Sequence, residues 1–193
     1  KRLEELSKNL KSKFNIKKGD LSLVVGGPPC QGYSGIGHRR SYKVDKEKIP
    51  SNYLYKEMYK VIEYFDPKAF IFENVRGLLS ARWTKNGVKG EIFKDVLKQF
   101  SKLKNYNYNY SLVQSKDYGV PQNRPRVLVI GIRKDIKSKI NKEELFPKKD
   151  ISYPHLEELF SDLIDKNYNK DFVTNSYLSD PKTKIQRTLR TRK

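Results

Sequence analysis

The chain has 193 residues, 36% of them hydrophobic and 12% aromatic, enough for one core of ordinary size and too many for a fully disordered polymer. Its 41 Lys and Arg against 22 Asp and Glu leave a formal net charge of +19, which attracts polyanions. A single cysteine, Cys30, excludes an internal disulfide framework and a multi-thiolate zinc site, and no run approaches the roughly 18 to 20 apolar residues that cross a bilayer.

Two readings of the charge stand side by side. Nucleic acid is the commonest polyanionic partner. The excess of 30 Lys over 11 Arg, with 13 Tyr, 13 Asn and only two Ala, is also the bias of an AT-rich coding genome. No signal segment opens the chain. It starts at Lys1, its sole methionine is Met58, and an open reading frame begins with Met, so its N-terminus is expected to have been cut away.

In chain order, Leu3, Leu6 and Leu10 predict an amphipathic helix over about residues 2–13. Gly19-Asp20 punctuates, and residues 21–25 read as a buried strand. Residues 26–52 read as a long loop, and structureless loops of that length are usually functional or mobile. Leu54, Met58, Val61, Ile62 and Phe65 recur at helical spacing, Asp66-Pro67 ends that helix, and residues 69–72 form a second short buried strand. Ile92, Phe93, Val96, Leu97 and Phe100 predict a helix over about 90–103. The alternating 106–114 and the β-branched 126–132 read as strands, with a turn-rich stretch between them. Pro154 opens a helix expected to reach Ile164, and the last 29 residues show no period. The order strand–helix–strand–helix–strand–strand gives an α/β sheet whose first two strands are parallel. Ligands bind beyond the carboxyl ends of such strands, where Cys30 and Glu73 are expected to share one crevice.

A lone cysteine is most often an inert small hydrophobe. Cys30 differs because Gly26, Gly27, Pro28 and Pro29 precede it and Gln31-Gly32 follow, a turn that displays a side chain rather than burying it. A thiol with pKa near 8.5 is only about a few per cent thiolate at neutral pH, so a nucleophile there needs positive charge or a base. Glu73, at the end of an apolar strand, is expected to favour its protonated form unless a cation pairs with it, and Arg76 or Arg126 could supply a purely structural ion pair. Gln122, Arg124 and Arg126 alternate, so an extended segment would turn all three to one face, toward an anionic ligand or as a solvated strand entrance.

The ordered set PPCQGYS, FENVRGLL and QNRPRVLVIGI resembles the DNA cytosine-5 methyltransferase family over residues 20–164. LFPKKD and LEELFSDLID resemble the segment leading into that family's target-recognition domain. The resemblance implies the second half of a Rossmann-like methyltransferase sheet with flanking helices over residues 1–165, and the start of target recognition over 166–193. It implies methyl transfer from S-adenosylmethionine to carbon 5 of a cytosine flipped out of duplex DNA. Cys30 would be the nucleophile at carbon 6, and Glu73 the group on the Watson–Crick edge. Arg126 would contact the cytosine carbonyl region and Glu73, while Gln122 and Arg124 order the site and the backbone. The loop from Ser34 to Asn52 would close over DNA, with Gln31, Ser34, Arg39 and Arg40 as nucleic-acid contacts beside His38, Lys43, Lys46 and Lys48. The competing reading of that loop is a solvated charge run.

The chain departs from the family in three places. Its 29 residues before Cys30 cannot supply the Gly-bearing cofactor segment, which leaves Pro29 and Leu54 as marginal cofactor contacts. Ile49 and Ser51 stand where the family usually has an acidic residue and an arginine, and Ser22 where an acidic residue is common. The resemblance further implies a bacterial cytoplasmic enzyme near the nucleoid, monomeric when complete, without a metal, and paired with a restriction endonuclease acting on the same site. Three alternatives stay open: a tRNA-methylating relative, a non-catalytic DNA-binding remnant, and a thiol hydrolase using His38 or His155 as base.

Overall fold

The computed structural model describes residues 2–29, 45–137, 139, 141–149, 155–163, 177 and 179–191. The chain divides into two compact units, Lys1–Val113 with Pro125–Lys148, and Gln114–Arg124 with Lys149–Lys193.

The first unit is a four-stranded sheet with helices, the Rossmann-like α/β class that the sequence pattern indicates. Helix α1 (Arg2–Phe14) leads to strand β1 (Leu23–Gly26). Two short 3-10 turns, Lys46–Lys48 and Pro50–Tyr53, precede α2 (Leu54–Phe65) and β2 (Ala69–Val75). Helix α3 (Glu91–Phe100), strands β3 (Tyr106–Gln114) and β4 (Pro125–Arg133), and the short α4 (Lys142–Leu145) follow. The strand order is β1-β2-β4-β3. β1 pairs parallel with β2, with Leu23 opposite Ala69 and Gly26 opposite Phe72. β4 runs antiparallel to β2, with Ala69 opposite Ile132 and Val75 opposite Arg126.

Periodicity explains the core. Tyr55, Met58, Ile62 and Phe65 form one stripe of α2, and Ile92, Phe93, Val96 and Phe100 one stripe of α3. They cover the sheet face made by the alternate residues Phe70 and Phe72 of β2 and Val127 and Val129 of β4, all almost fully buried. Phe100 stacks on Phe70 and meets Phe72 edge-on, each at 5.4 Å between ring centroids. Each large apolar side chain buried this way contributes about 1.5–3 kcal/mol. Gly131 faces Phe70 across the ladder, and a Cβ there would come within 2.1 Å of the Phe70 ring, so only glycine admits the ring.

Several expectations need correction. β1 is half buried, not buried: Val24 packs against the core, but Leu23 and Val25 are 47% and 63% exposed. They project to the opposite face, which no described helix covers. The amphipathic α1 forms but buries no residue. β2 runs through Glu73 and Asn74 to Val75, so the carboxyl lies within the strand and not after it. Part of the long loop carries the two 3-10 turns.

In the second unit, the expected helix over 154–164 is the shorter α5 (Leu156–Phe160), and Pro154 and Ile164 lie outside the described residues. The aperiodic C-terminal stretch contains a further helix, α6 (Lys184–Arg190). Its start is fixed by a reciprocal cap in which Thr183 Oγ1 accepts from the Gln186 N–H and Gln186 Oε1 accepts from the Thr183 N–H. Gln186, only 2% exposed, also donates to the Glu158 carbonyl and the Ser161 hydroxyl. Arg190 pairs with the buried Asp162 and lies 3.7 Å from the Tyr177 ring centroid.

Candidate active site

Parallel pairing brings the carboxyl ends of β1 and β2 to one edge of the sheet. Extending the register beyond Gly26–Phe72 puts Gly27 beside Glu73 and Pro28 beside Asn74. A Cβ on Gly27 would lie 3.0 Å from Glu73 Oε2, so glycine gives that carboxylate room against the backbone leading to Pro28 and Pro29. From the other side, the antiparallel register delivers Arg126, whose Nε lies 2.6 Å from Glu73 Oε1 in an ion pair. The two side chains are 23% and 39% exposed. Arg126 Nη1 donates to the Pro125 carbonyl at 2.8 Å. Among the described residues, Arg126 Nη2 and Glu73 Oε2 make no further hydrogen bond. The cation that the sequence reading allowed for is therefore Arg126, and the pair keeps one donor group and one acceptor oxygen for a ligand.

Asn74 points to the other face of β2, is 5% exposed, and donates from Nδ2 to the Pro28 carbonyl at 3.1 Å. Its Oδ1 accepts from the Val75 N–H at 2.9 Å. The sequence reading missed Asn74 as a site residue and took Gly27 only as part of the segment before Cys30. The signal for Asn74 was a polar residue at an inward position of an apolar strand. Pro28, Pro29, Asn52, Tyr55, Phe72 and Asn74 line a narrow cavity with room for about one water.

Cys30, Gln31, Ser34, His38, Arg39, Arg40 and Lys43 lie outside the described residues. Lys46 and Lys48 are on the first 3-10 turn, whose N-terminal end is tied down by Lys46 N–H donating to the Trp83 carbonyl. Partial burial holds the Lys46 ammonium below the usual lysine range, whereas the Lys48 ammonium is exposed, 3.9 Å from Asp45. Gln122 and Arg124 belong to the second unit, are exposed, and are not on β4, which starts at Pro125. The Gln122 N–H donates to the Val120 carbonyl and the Arg124 N–H to the Gln122 carbonyl, so the segment bends and the alternation expected of an extended chain does not apply. Leu54 begins α2 and is half-buried. Among the described residues no cluster of three or more His, Cys, Asp or Glu could hold a metal ion, and no helix is long and apolar enough to cross a membrane.

The narrow cavity beside Pro29 is too small for a nucleoside-sized methyl donor. The cavity beside Pro29 takes one water, and its lining offers no carboxylate to a ribose.

Residues 3–192 match the model of the C-5 cytosine-specific DNA methylase family. The type II methyltransferase M.DdeI of Desulfomicrobium norvegicum is 33% identical over 181 residues, covering 92% of this chain and 40% of that protein. The orphan methyltransferase M.SPRI of Bacillus phage SPR is 36% identical over 152 residues, covering 77% of this chain and 31% of that one. A solved structure, described as a DNA modification methyltransferase encoded within a prophage (E. coli), superposes with a TM-score of 0.57 at 25% identity over 84% of this chain and 41% of its own. The chain thus spans two fifths or less of the length of these two curated relatives. With its family model matched almost end to end, the chain belongs to the C-5 cytosine-specific DNA methylases.

Proposed function

We propose that the complete polypeptide methylates carbon 5 of cytosine in a specific duplex DNA sequence, with Cys30 as covalent nucleophile on a flipped base. The observation that carries the reading is the juxtaposition, at one sheet edge, of Gly27 and Pro28, which lead in the chain to Cys30, with the Glu73 carboxylate and the Arg126 guanidinium. Carbon 5 of cytosine is a weak nucleophile. A thiolate that forms an S–C6 bond moves the C5–C6 π pair toward carbon 5 and spreads negative charge onto N3 and the carbonyl oxygen. A proton taken up from water and held between the Glu73 carboxylate and N3, and donation from Arg126 toward the carbonyl, offset that charge as it develops. When the carbon 5 proton leaves to a base, the S–C6 bond breaks and the thiolate is regenerated. The electrophilic methyl comes from S-adenosylmethionine, whose principal site we assign to polypeptide beyond the residues described, with Pro29 and Leu54 at its margin.

Gln122 and Arg124 order the site and backbone in this reading, and Gln31, Ser34, Arg39 and Arg40 take DNA phosphates and bases. Residues 166–193 begin target recognition. The enzyme works as a monomer in a bacterial cytoplasm, beside a restriction endonuclease for the same sequence, as the type II names of relatives suggest. The +19 charge supports a nucleic-acid substrate, and the DNA-directed names of the family and the prophage relative favour DNA over tRNA. Trapping tests this. With S-adenosylmethionine, the complete polypeptide forms a covalent adduct on duplex DNA bearing 5-fluorocytosine, and Cys30→Ser abolishes it. An adduct that persists in Cys30→Ser would sink the assignment, and faster methylation of tRNA than of duplex DNA would move it to the RNA branch.

A further inference from the structure

Beyond the end of β1, the connection to β2 is carried on by a side chain. Ala69 N–H donates to the Ser22 carbonyl at 3.0 Å. In a parallel pair the same relation recurs every second residue, so the register takes it through Ile71 and Glu73 to Val75, whose N–H would meet the Pro28 carbonyl. That bond is not made. The Asn74 amide occupies the gap, its Nδ2 donating to Pro28 O at 3.1 Å and its Oδ1 accepting from Val75 N at 2.9 Å. Both backbone groups are satisfied, and Pro28 is tied to β2 through a side-chain amide. Pro28 has no N–H to offer in return, and its carbonyl lies two residues before Cys30. Asn74 is 5% exposed and packs beside Phe72 and Leu78 around the narrow cavity, so it has little freedom to let the turn drift. On the same strand, and on the opposite face, Glu73 is held by Arg126.

We infer that Asn74 is a positioning residue for the reaction: its amide ties the Pro28 carbonyl, two residues before Cys30 in the chain, to β2 beside the Glu73–Arg126 pair. This inference rests on the function proposed above. A contact that positions has a different consequence from a strut. Removing a strut lowers stability, whereas losing a positioning contact lets the nucleophile shift relative to the group that stabilises the charge it generates. A misplacement of about 1 Å costs on the order of a hundredfold in rate.

Asn74→Asp is the discriminating variant because it keeps the size and the acceptor for Val75 N–H and removes only the donor to Pro28. An ionised carboxylate also repels that carbonyl, and burial raises the carboxyl's pKa toward neutrality. Once protonated, the new carboxyl can donate again. Adduct formation on 5-fluorocytosine duplex with S-adenosylmethionine is measured in the complete polypeptide at saturating DNA, from about pH 5.5 to 8.5. The expected result is a rate at least about tenfold below wild type at the alkaline end, with DNA affinity within about twofold and a deficit that shrinks as pH falls. Asn74→Ala, which loses both bonds, is expected to be slower by about a hundredfold at every pH. A rate within about twofold of wild type in either variant overturns the inference, as does an Asn74→Asp deficit that does not change with pH. Should Asn74→Ala not fold, Asn74→Asp decides alone; should neither fold, Asn74 is a strut and the inference is overturned. Cys30→Ser, run in parallel, separates the two levels: an adduct without Cys30 removes the proposed function, whereas a silent Cys30→Ser beside wild-type rates in the Asn74 variants removes only the role of Asn74.

Discussion

An arginine–carboxylate pair lies at each end of the β2–β4 ladder, Arg133 with Asp66 just before β2 and Arg126 with Glu73 within it, and the two are built differently. At the amino end of β2, Arg133 Nη1 donates to the Asp66 carbonyl, to Asp66 Oδ2 at 3.3 Å and to the Gly19 carbonyl at 3.2 Å. Its Nε and Nη2 hold both oxygens of Asp135 at 2.7 and 3.0 Å. Tyr106 adds hydroxyl donation to Asp66 Oδ1 and the Pro67 carbonyl. The bond to Asp135 is the main cause that moves the Arg133 pKa above the ordinary value, and it holds the Asp135 carboxyl below its own. At the other end, Arg126 touches Glu73 through one nitrogen and leaves Nη2 without a partner among the described residues. The saturated pair is a clasp, whose bonds are all consumed by the fold. The unsaturated pair sits at the sheet edge where α/β ligands bind, and its spare donor and acceptor are what a ligand needs.

The largest effects should therefore fall on different observables at the two ends. Arg133→Leu leaves the Gly19 and Asp66 carbonyls and the Asp66 carboxylate without their cation, and is expected to cost about 3–5 kcal/mol of unfolding free energy in urea titrations. Glu73→Gln breaks a half-exposed pair and is expected to cost under about 1 kcal/mol, yet to slow adduct formation by about 10²–10³-fold. If Glu73→Gln destabilises as much as Arg133→Leu, or leaves the adduct rate intact, the division into clasp and site fails.

A smaller effect probes the room beside the carboxylate. Gly27→Ala puts a methyl 3.0 Å from Glu73 Oε2, so the carboxylate must give by a few tenths of an ångström. The expected outcome is an adduct rate lower by about tenfold with little change in melting temperature. An unaltered rate would mean that the carboxylate's position is not set from the β1 side.

The sequence made some of this legible and hid the rest for definable reasons. Apolar periodicity located α2, α3, β2, β3 and β4 closely, because each buries one stripe or one face and the pattern is local. Glu73 and Arg126 could be named as partners from residue chemistry, but which end of which strand they share depends on an antiparallel register between segments some 50 residues apart, which no local pattern encodes. β1 reads as buried because Leu21, Leu23, Val24 and Val25 are all apolar, yet burial is decided by neighbours, and only the Val24 face has one described. Asn74 looked like part of a motif and not like a ladder substitute, since that role exists only once β1 and β2 are aligned. α6 carried a readable sign, Thr183 followed three residues later by Gln186, that apolar periodicity alone overlooks.

The smallest effect separates Tyr106 as a clasp member from Tyr106 as core. Its ring packs edge-on against Phe70 at 5.4 Å, while its hydroxyl serves Asp66 and Pro67. Tyr106→Phe keeps the ring and is expected to cost about 1–2 kcal/mol at neutral pH, because the Pro67 carbonyl loses its donor. Burial first, and the Asp66 carboxylate second, hold the Tyr106 hydroxyl well above the ordinary tyrosine value of 10.0. A folded-state pKa raised above the unfolded one contributes stability that is complete below the unfolded value and lost as pH rises through the folded one. The gap in melting temperature between wild type and Tyr106→Phe should therefore hold steady from about pH 6 to 9 and narrow above about pH 10, as the unfolded chain's Tyr106 ionises. Tyr55, pushed up to about 12 chiefly by burial, weakens both proteins alike over the same range and leaves the difference to Tyr106. In acid the sign reverses for Asp135, whose lowered pKa supplies stability present above about 3.8 and lost below it. Arg133→Leu should abolish that acid dependence, while Glu73→Gln leaves it in place. A Tyr106 gap that widens above pH 10 would mean that the hydroxyl is not held by the clasp, and the contrast between the two ends would then rest on Arg133 alone.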